Sequence, residues 1–399
     1  MHILVFPSFY PSAVRPLTGI FFKEQAEALH QAGHQVGVLV APRIRESLHY
    51  IQTHRRLPDL QTAILETDTD LPVYRMHWGW FLRIFPNICA WLTTPAGYRA
   101  FARYCDEQGK PDIIHAHNIF YSGYMASRIR RRFNIPVVLT EHSSSFVRRL
   151  IFLPGQHRIV RQTLREVDAA AAVGASLQNI LNAYLPERPV GLLPNIARTD
   201  FFIPSESPLP EPFTFALVTT ILLPLKGAAV LLRAFATAFR GGHERLLVVG
   251  EGGEQVALQQ MAQQLGIAAQ VEFRGRLSRQ GVRDIFYESH VVVSASYVET
   301  FGITLIEAMA CGKPVIATRS GGPDNWITPE TGLLVPTGDV PALAAALQDI
   351  RTHYERYSSA AVRQYCIDNF SQSAVVRQIE TTYAAAIENF QRTQQRTAG

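Results

Sequence analysis

The chain alternates short runs of β-branched and other apolar residues with segments in which apolar residues recur at helical spacing. This alternation is typical of β-α-β units, whose strands lie parallel and are covered by helices. Residues 20–34 show the helical pattern, because their apolar side chains fall on one face and Gly33 stands near their end. The pattern therefore predicts an α/β fold. We predict strands at His2–Pro7, His34–Pro42, Asp112–His117, Pro136–His142, Ala169–Ala175 and Pro189–Pro194, then at Phe213–Thr220, Arg245–Gly250, Val271–Gly275, His290–Ser296, Pro314–Thr318 and Gly332–Pro336.

A segment rich in proline and serine separates the two series of strands. A chain of 399 residues also exceeds what one hydrophobic core usually serves. The prediction is two tandem doubly wound, Rossmann-like domains with parallel sheets, facing a cleft at the carboxyl ends of their strands, where such folds bind ligands. The predicted parts are an N-terminal domain over residues 1–195, a linker over 196–212, a C-terminal domain over 213–370 and a closing helix over 371–399 that packs across to the N-terminal domain.

Two carboxylates interrupt the apolar segment that follows the strand His290–Ser296. Glu299 stands in a loop, and Glu307 lies inside a helix predicted to begin near Gly302 and to end before Gly312. The free N–H groups at the start of this helix favour an anion such as a diphosphate. Glu299 and Glu307 can then accept hydrogen bonds from sugar and ribose hydroxyls, since a buried carboxylate without partners is costly. An ion-pair or capping role remains the alternative.

These residues resemble a known family. Glu299 and Glu307 with "FG" between them look like the E-x7-E signature of the retaining glycosyltransferases of family 4, which have GT-B architecture. The resemblance covers nearly the whole chain, and the blocks that carry it stand in the family's order. They are "TGIFFKEQAEALHQAGHQV", "PDIIHAHN", "PLKG", "VVGEGGE", "VEFRGRLS" and "TGLLVPTGD".

The resemblance implies roles for particular residues. Lys226 holds the donor diphosphate and Glu299 binds the transferred sugar, while Glu307 binds the ribose. His117 lies under the sugar, although a core histidine is the alternative. Apart from the resemblance, His142 ends a predicted strand that faces the cleft, so it and the nearby Arg148 are candidates for the acceptor side. The resemblance implies donor contacts by the backbone of Gly19, Arg274, Gly275 and Leu277, in addition to the helix-start N–H groups at Phe301, Gly302, Ile303 and Thr304 that favour an anion.

The implied reaction is transfer with retention, by front-face displacement and without a metal or other cofactor. The leaving diphosphate is stabilised by charge and accepts the acceptor's proton. Two positions depart from the family pattern. Ile221 stands where the family has an arginine, and Arg198 stands where it has an aspartate. Loss of a phosphate-binding cation weakens leaving-group stabilisation, unless Arg274 or Arg148 replaces it.

The net charge of +5 comes mostly from arginines clustered in residues 127–133 and 146–166. Such clusters suit phosphate-bearing ligands or an anionic membrane surface, and a solvated helix face is the alternative. The Trp-rich residues 76–92 suit either membrane contact or a core helix. No nucleic-acid motif accompanies the charge. Without a signal peptide or membrane span, we expect a cytoplasmic protein, with the inner membrane face left open.

Other motifs predict nothing of comparable weight. Asp68–Asp70 match a metal-binding D-x-D pattern but lie in a polar loop, and Gln255 replaces the third glycine of a dinucleotide fingerprint.

The expected partners are a nucleotide sugar and a glycan or lipid-linked acceptor in cell-surface polysaccharide biosynthesis. Two further functions stay open. One is epimerisation of the sugar nucleotide, and the other is a catalytically weak subunit that binds it.

Overall fold

The structure, a computed structural model, describes residues 1–12, 15–42, 63–66, 70–77, 93–151, 153–209 and 211–398. The chain divides into two compact units. The first unit comprises Met1–Val173, Leu177–Ile196 and Val375–Gly399. The second comprises Gly174–Ser176 and Ala197–Ala374.

Within the described residues, the sheet of the first unit has eight strands in the order β3-β4-β2-β1-β5-β6-β7-β8. All neighbours are parallel except β3 and β4, which pair antiparallel. The order reverses between β1 and β5, so their carboxyl ends form a switch point, where doubly wound folds bind ligands. The strands are β1 His2–Pro7, β2 Gln35–Val40, β3 Ala63–Glu66, β4 Val73–Met76, β5 Ile113–His117, β6 Val137–Glu141, β7 Ala169–Ala172 and β8 Gly191–Leu192.

Helices cover this sheet because their apolar faces bury against it. The central strands are apolar on both faces, as a sheet covered on both sides requires. The last helix, α13 (Gln372–Ala398), also contributes, since Val375, Ile379 and Tyr383 lie fully buried in the core of the first unit. The helices described up to residue 196 are α1 Ile20–Gln31, α2 Thr94–Gln108, α3 Tyr124–Phe133, α4 Ser144–Val147, α5 Pro154–Glu166 and α6 Ala175–Tyr184.

The second unit has a six-stranded parallel sheet among its described residues, in the order β11-β10-β9-β12-β13-β14. Counted within the unit, this is the order 3-2-1-4-5-6 of dinucleotide-binding folds. Its switch point therefore lies between β9 and β12. The strands are β9 Thr214–Ile221, β10 Arg245–Glu251, β11 Val271–Gly275, β12 Val291–Ser294, β13 Val315–Thr318 and β14 Gly332–Val335.

The core of the second unit lies between this sheet and its helices. Phe215, Leu231, Phe235 and Leu347 are fully buried there. The helices after residue 196 are α7 Ala228–Phe239, α8 Gln255–Gln264, α9 Arg279–Glu288, α10 Ile303–Ala310, α11 Val340–Thr352, α12 Ser359–Phe370 and α13 Gln372–Ala398. From Val375 onward, α13 belongs to the first unit.

The predicted α/β class with two doubly wound parallel sheets is confirmed, and all twelve predicted strands occur, most of them shorter than predicted. Sequence patterns did not reveal β3 and β4. Each has only four residues, and β4 carries Arg75, which is buried and pairs with Glu66 at 2.5 Å. A charged residue inside so short a run hides the strand pattern.

The segment predicted as a linker lies in the second unit from Ala197 onward. Phe202 is fully buried, and the Arg363 guanidinium donates hydrogen bonds to the carbonyls of Phe202 at 2.9 Å and Thr199 at 3.1 Å. Residues 197–202 are thus held to the unit by packing and backbone contacts. No helix within the described ranges is long and apolar enough to cross a membrane.

Candidate functional site

Two loops at the switch point of the second unit carry the predicted donor residues. β9 leads into a 3₁₀ turn, Pro224–Lys226, and β12 leads into the loop that holds Glu299. Because β9 and β12 are parallel neighbours, their carboxyl ends meet at one edge of the sheet. The fold therefore brings Lys226 and Glu299 together although they lie 73 positions apart in the chain.

The two loops are held by backbone contacts. The Tyr297 N–H donates a hydrogen bond of 2.8 Å to the Leu225 carbonyl. Gly227 has φ 69°, and a Cβ there would lie 1.9 Å from the Ala295 carbonyl oxygen. Only glycine fits this conformation and this approach without strain. These contacts fix where the neighbouring Lys226 side chain begins.

Lys226 and Glu299 form an ion pair with 2.5 Å between Nζ and Oε1. Glu299 Oε1 also accepts a hydrogen bond of 2.9 Å from the Ser296 hydroxyl. The side chains remain 26% and 19% exposed, so solvent and solutes reach both. Glu299 therefore has two protein partners, which matches the ion-pair alternative that the sequence left open.

The helix α10 begins beside this pair with an open N-terminus. Gly302 is the N-cap at φ 95° and has no side chain to cap the first turn, which contains Ile303 and Thr304 and no acidic residue. Trp326 Nε1 donates a hydrogen bond of 3.2 Å to the Phe301 carbonyl and so fixes the preceding residue. First-turn N–H groups lack partners within the helix and favour an anion.

Glu307, the second glutamate of the signature, also has a protein partner. Arg279 Nη2 lies 3.2 Å from Glu307 Oε1, and the Arg279 guanidinium lies 5.2 Å from the centre of the Phe202 ring. The ring contact and the ion pair together orient the arginine. No sequence pattern pointed to Arg279, because it lies 28 positions from Glu307 and no motif joins them.

The segment predicted to frame the base ends the edge strand β11. Arg274 contacts Glu272 at 2.6 Å and Glu288 at 2.7 Å, so two carboxylates already neutralise its guanidinium. Gly275 follows in the left-handed region at φ 63°. The hypothesis that Arg274 is a spare phosphate cation is therefore not supported by its surroundings. Leu277 follows in the same loop, just before α9.

Ile221, at the position of the missing arginine, is the last residue of β9 and is 46% exposed. Its neighbour on the adjacent strand β10 is Glu251, whose carboxylate forms a close ion pair with Arg276. An exposed isoleucine contributes no charge to this edge of the sheet. The cation nearest in sequence to it within the described second unit is Lys226.

The corresponding edge of the first unit carries the histidines. His117 is the last residue of β5, and Gly19 precedes α1 with φ 77°. His117 Nδ1 lies 3.1 Å from His142 Nε2, and the Phe22 ring lies 4.8 Å from the His117 ring. The structure thus joins His117 and His142, as well as His115, whose ring centre is 4.2 Å from that of His117.

Burial keeps these histidines neutral. It lowers the pKa of His115 to about 3 and that of His142 to about 3. The pKa of His117 also lies well below its usual value, first through burial and then through repulsion by the other two histidines. Among the described residues, His117 Nε2 is buried without a hydrogen-bond partner. A neutral imidazole can donate or accept one hydrogen bond at that nitrogen.

Glu141, which the sequence analysis missed, joins the loops after β5 and β6. Its carboxylate accepts hydrogen bonds from the N–H groups of Ile119 at 2.6 Å, His142 at 2.9 Å and Ser143 at 2.7 Å. Burial raises the pKa of Glu141 to about 7. A carboxylate at the end of an apolar strand, next to a histidine, was the available signal.

The loop after β5 also has an unusual backbone. Asn118 and Tyr121 have φ values of 71° and 69° although neither is glycine. Such strained residues cluster at functional sites. Asn118 Oδ1 accepts a hydrogen bond of 3.2 Å from the His142 N–H, which helps to position this histidine.

Two arginines that the sequence analysis named, Arg148 and Arg198, have different surroundings. Arg148 follows α4 with an exposed side chain. Arg198, at the position of the usual aspartate, donates two hydrogen bonds of 2.8 Å to Asp200 and lowers the pKa of that carboxyl. The positive charge of Arg198 is therefore neutralised locally.

Some predictions lie outside the described residues. These are the metal interpretation of Asp68–Asp70, except for Asp70 itself, and the membrane interpretation of residues 78–92. Across the described ranges, no group of three or more His, Cys, Asp or Glu side chains is placed to hold a metal ion.

Two family models match the chain. "Glycosyltransferase Family 4" matches residues 18–201, and "Glycosyl transferases group 1" matches residues 200–367. The chain is 30% identical to the D-inositol 3-phosphate glycosyltransferase of Rhodococcus jostii over 71% of this chain and 68% of that protein. It is 27% identical to the N-acetyl-alpha-D-glucosaminyl L-malate synthase of Bacillus anthracis over 68% and 74% of the two chains. The sucrose-phosphate synthase structure from Thermosynechococcus elongatus superposes with a TM-score of 0.74 at 25% identity, covering 96% of this chain and 98% of the other.

Proposed function

Because the chain belongs to family 4 of the glycosyltransferases, the group 1 glycosyl transferases with GT-B architecture, we propose that its donor is a nucleoside-diphosphate sugar. The sugar is transferred with retention of configuration to a glycan or lipid-linked acceptor in cell-surface polysaccharide biosynthesis. No metal takes part in this proposed reaction.

The observation that carries the proposal is the Lys226–Glu299 pair beside the N-terminus of α10. The ammonium and the first-turn N–H groups suit a diphosphate, while the adjacent carboxylate suits sugar hydroxyls. One switch point thus offers positive groups for the diphosphate of a nucleotide sugar and a hydrogen-bond acceptor for its sugar. On donor binding, the diphosphate replaces Glu299 as the partner of Lys226.

The proposed transfer breaks the bond between the sugar's anomeric carbon and a diphosphate oxygen. The acceptor oxygen forms a bond to the same carbon on the same face, and its proton passes to the departing diphosphate. Lys226 and the α10 terminus stabilise the charge that develops on that diphosphate, and electrostatic stabilisation of this kind contributes most of the rate enhancement in many enzymes. Because Ile221 supplies no charge, Lys226 carries more of this stabilisation than it would beside an arginine.

In the first unit, His117 contacts the transferred sugar as a neutral hydrogen-bonding group, and Gly19 lets the loop before α1 approach the donor. His142 and Arg148 serve the acceptor. The lowered pKa of His117 supports a neutral role, because the imidazole carries no charge that could compete for the diphosphate.

A small acidic acceptor is a second candidate. Two relatives are named for glycosylation of D-inositol 3-phosphate and L-malate, which are both small anions. Arg148 has an exposed side chain that suits such an acceptor. Acceptor screens therefore include both small acids and lipid-linked glycans.

The first experiment titrates the protein with nucleoside diphosphates and nucleotide sugars by calorimetry. We expect Lys226→Met to weaken nucleoside-diphosphate binding at least tenfold, because the variant leaves the Glu299 carboxylate facing the phosphates. Glu299→Gln should retain or strengthen nucleoside-diphosphate binding, since it frees the ammonium, while it removes the added affinity of the sugar. Arg233→Met, an exposed cation on the following helix α7, is the matched control. Equal losses in Lys226→Met and Arg233→Met would contradict the proposed site.

A second measurement follows product formation with the donor found in this way. Nuclear magnetic resonance of the product gives the anomeric configuration, and the same assay with chelator present tests metal independence. Inversion of configuration would overturn the retaining reaction. Conversion of the donor without any acceptor would favour epimerisation instead.

A further inference from the structure

A strongly basic cavity lies within the first unit. Its volume is about 560 Å³, which is within the usual range of ligand sites. It is lined by parts of α3, the end of α5, the loop after α6 and the end of α13. Six arginines and two carboxylates face it, so the lining carries a formal charge of +4. The arginines are Arg130, Arg131, Arg165, Arg188, Arg392 and Arg396.

Both carboxylates of the cavity are already neutralised. Asp168 accepts two hydrogen bonds from Arg130, at 2.8 Å and 2.6 Å, and a third from the Val137 N–H at 2.9 Å. Glu166 lies 3.2 Å from Arg128 and 3.6 Å from Arg131. Among the other cavity arginines, Arg392 pairs with Glu388 at 2.5 Å, outside the lining.

Backbone carbonyls hold Arg188 in place, and the charge of Asp168 also acts on its guanidinium. Its guanidinium donates hydrogen bonds to four backbone carbonyls at the end of α5, among them Arg165 at 2.6 Å and Val167 at 2.8 Å. Carbonyls at a helix C-terminus hold a cation well. Burial nevertheless lowers the pKa of Arg188, which reflects the cost of keeping its charge there.

Arg165 and Arg396 complete the cluster. Across the part of the chain that the structure describes, neither side chain has an ion-pair or hydrogen-bond partner. Arg396 reaches the cavity because Tyr383 and Phe390 anchor α13 in the core of the first unit. Cations gathered from four separate segments repel one another, and a bound anion would offset that repulsion.

The cavity lies at the edge of the sheet opposite the histidines. Asp168 precedes β7 and binds the N–H of Val137, the first residue of β6. His117 and Glu141 end the parallel strands β5 and β6. The cavity therefore lies at the amino-terminal edge of the sheet, and the histidines lie at its carboxyl-terminal edge. A ligand of the cavity is distinct from the groups that react.

We propose that this cavity binds a ligand with clustered phosphate groups, such as a diphosphate. Guanidinium groups match phosphate oxygens in geometry and charge, and a diphosphate at neutral pH carries enough negative charge to offset most of the charge of the lining. The same chemistry occurs in soluble phosphate compounds and in lipid headgroups. The proposal does not depend on the proposed donor site.

The test uses inorganic pyrophosphate and the full chain. Because Lys226 also attracts phosphate, all titrations are made in a Lys226→Met background. Arg165→Gln/Arg396→Gln removes two cavity arginines from α5 and α13. Arg158→Gln/Arg377→Gln removes two exposed arginines from the same two helices outside the cavity, with the same change in net charge.

We expect the cavity pair to bind pyrophosphate at least tenfold more weakly than the background protein, and the control pair to stay within twofold. A parallel sedimentation arm uses phosphatidylcholine vesicles with and without phosphatidic acid. Cavity-dependent binding to the acidic vesicles alone identifies a lipid headgroup, and binding to pyrophosphate alone identifies a soluble ligand. Equal losses in both pairs, or no binding of either probe by the background protein, overturns the proposal.

Discussion

Acidification should destabilise the first unit through its buried histidines. His115 is fully buried, with Nδ1 2.8 Å from the Tyr383 hydroxyl and Nε2 2.8 Å from the Thr140 hydroxyl. Its pKa falls from 6.5 in the unfolded chain to about 3 in the fold. A depressed pKa contributes stability that is present above the unfolded value and is lost as the pH falls towards the folded value.

The magnitude follows from the difference between the two states. At pH 5 the pH lies about 1.5 units below the pKa of the unfolded histidine, which is therefore protonated, while the folded histidine stays neutral. The His115 contribution to the free energy of unfolding is therefore about 2 kcal/mol smaller than at pH 7.5. His142, with a pKa also near 3, adds a similar loss, and His117 acts in the same direction. Glu141 opposes them, because its pKa is raised to about 7 and protonation stabilises the fold by about 2.4 kcal/mol over the same range.

The assay is amide hydrogen exchange along β5 and β6, which reports the opening free energy of this unit alone. We expect that free energy to fall from pH 7.5 to pH 5 in the parent protein. His115→Gln retains an amide that can bond the two hydroxyls but cannot be protonated, so it should lose about 2 kcal/mol less over the same range. If parent and variant respond equally to pH, the neutral buried histidine is not the cause.

Two further substitutions test the packing of the Lys226 turn and the hydrogen bond of the buried His115. Gly227→Ala should displace the Lys226 turn and weaken nucleoside-diphosphate binding more than tenfold in calorimetry, because its Cβ would lie 1.9 Å from the Ala295 carbonyl oxygen. The control is Gly241→Ala, which should leave binding unchanged. Gly241 has a similar φ of 80°, but a Cβ there would have no neighbour within 4 Å. Tyr383→Phe removes the hydroxyl partner of His115 and should lower the opening free energy of β5 by about 1 to 3 kcal/mol. Tyr98→Phe, whose ring contacts Phe133, is its control, and equal effects of the two changes would show that the buried hydrogen bond is not responsible.

Local sequence determined most of the fold. The strands and helices were predictable because alternation of apolar runs depends on neighbouring residues, and β-α-β connection fixes parallel pairing. The helix α10 was also predictable, since Gly302 and Gly312 mark its ends. The strands β3 and β4 were not, because they are short and one carries a buried arginine whose partner lies in the other strand.

The candidate site could be predicted only in part from the sequence. Motifs pointed to Lys226, Glu299 and His117, and the fold places the first two in contact. The partners of the other groups were hidden, since Arg279 meets Glu307 from a different helix and Glu141 binds backbone N–H groups of two loops. Such contacts have no pattern in the sequence.

The sequence by itself determined the α/β class, the parallel sheets and the chemical types of the candidate residues, because these depend on local periodicity and on composition. Tertiary structure alone decided which charges neutralise each other and which stay available. Lys226 is paired with Glu299, Arg274 is held by two carboxylates, and Arg165 and Arg396 meet in a basic cavity. Electrostatic interaction depends on distance in space, and only the folded chain sets that distance.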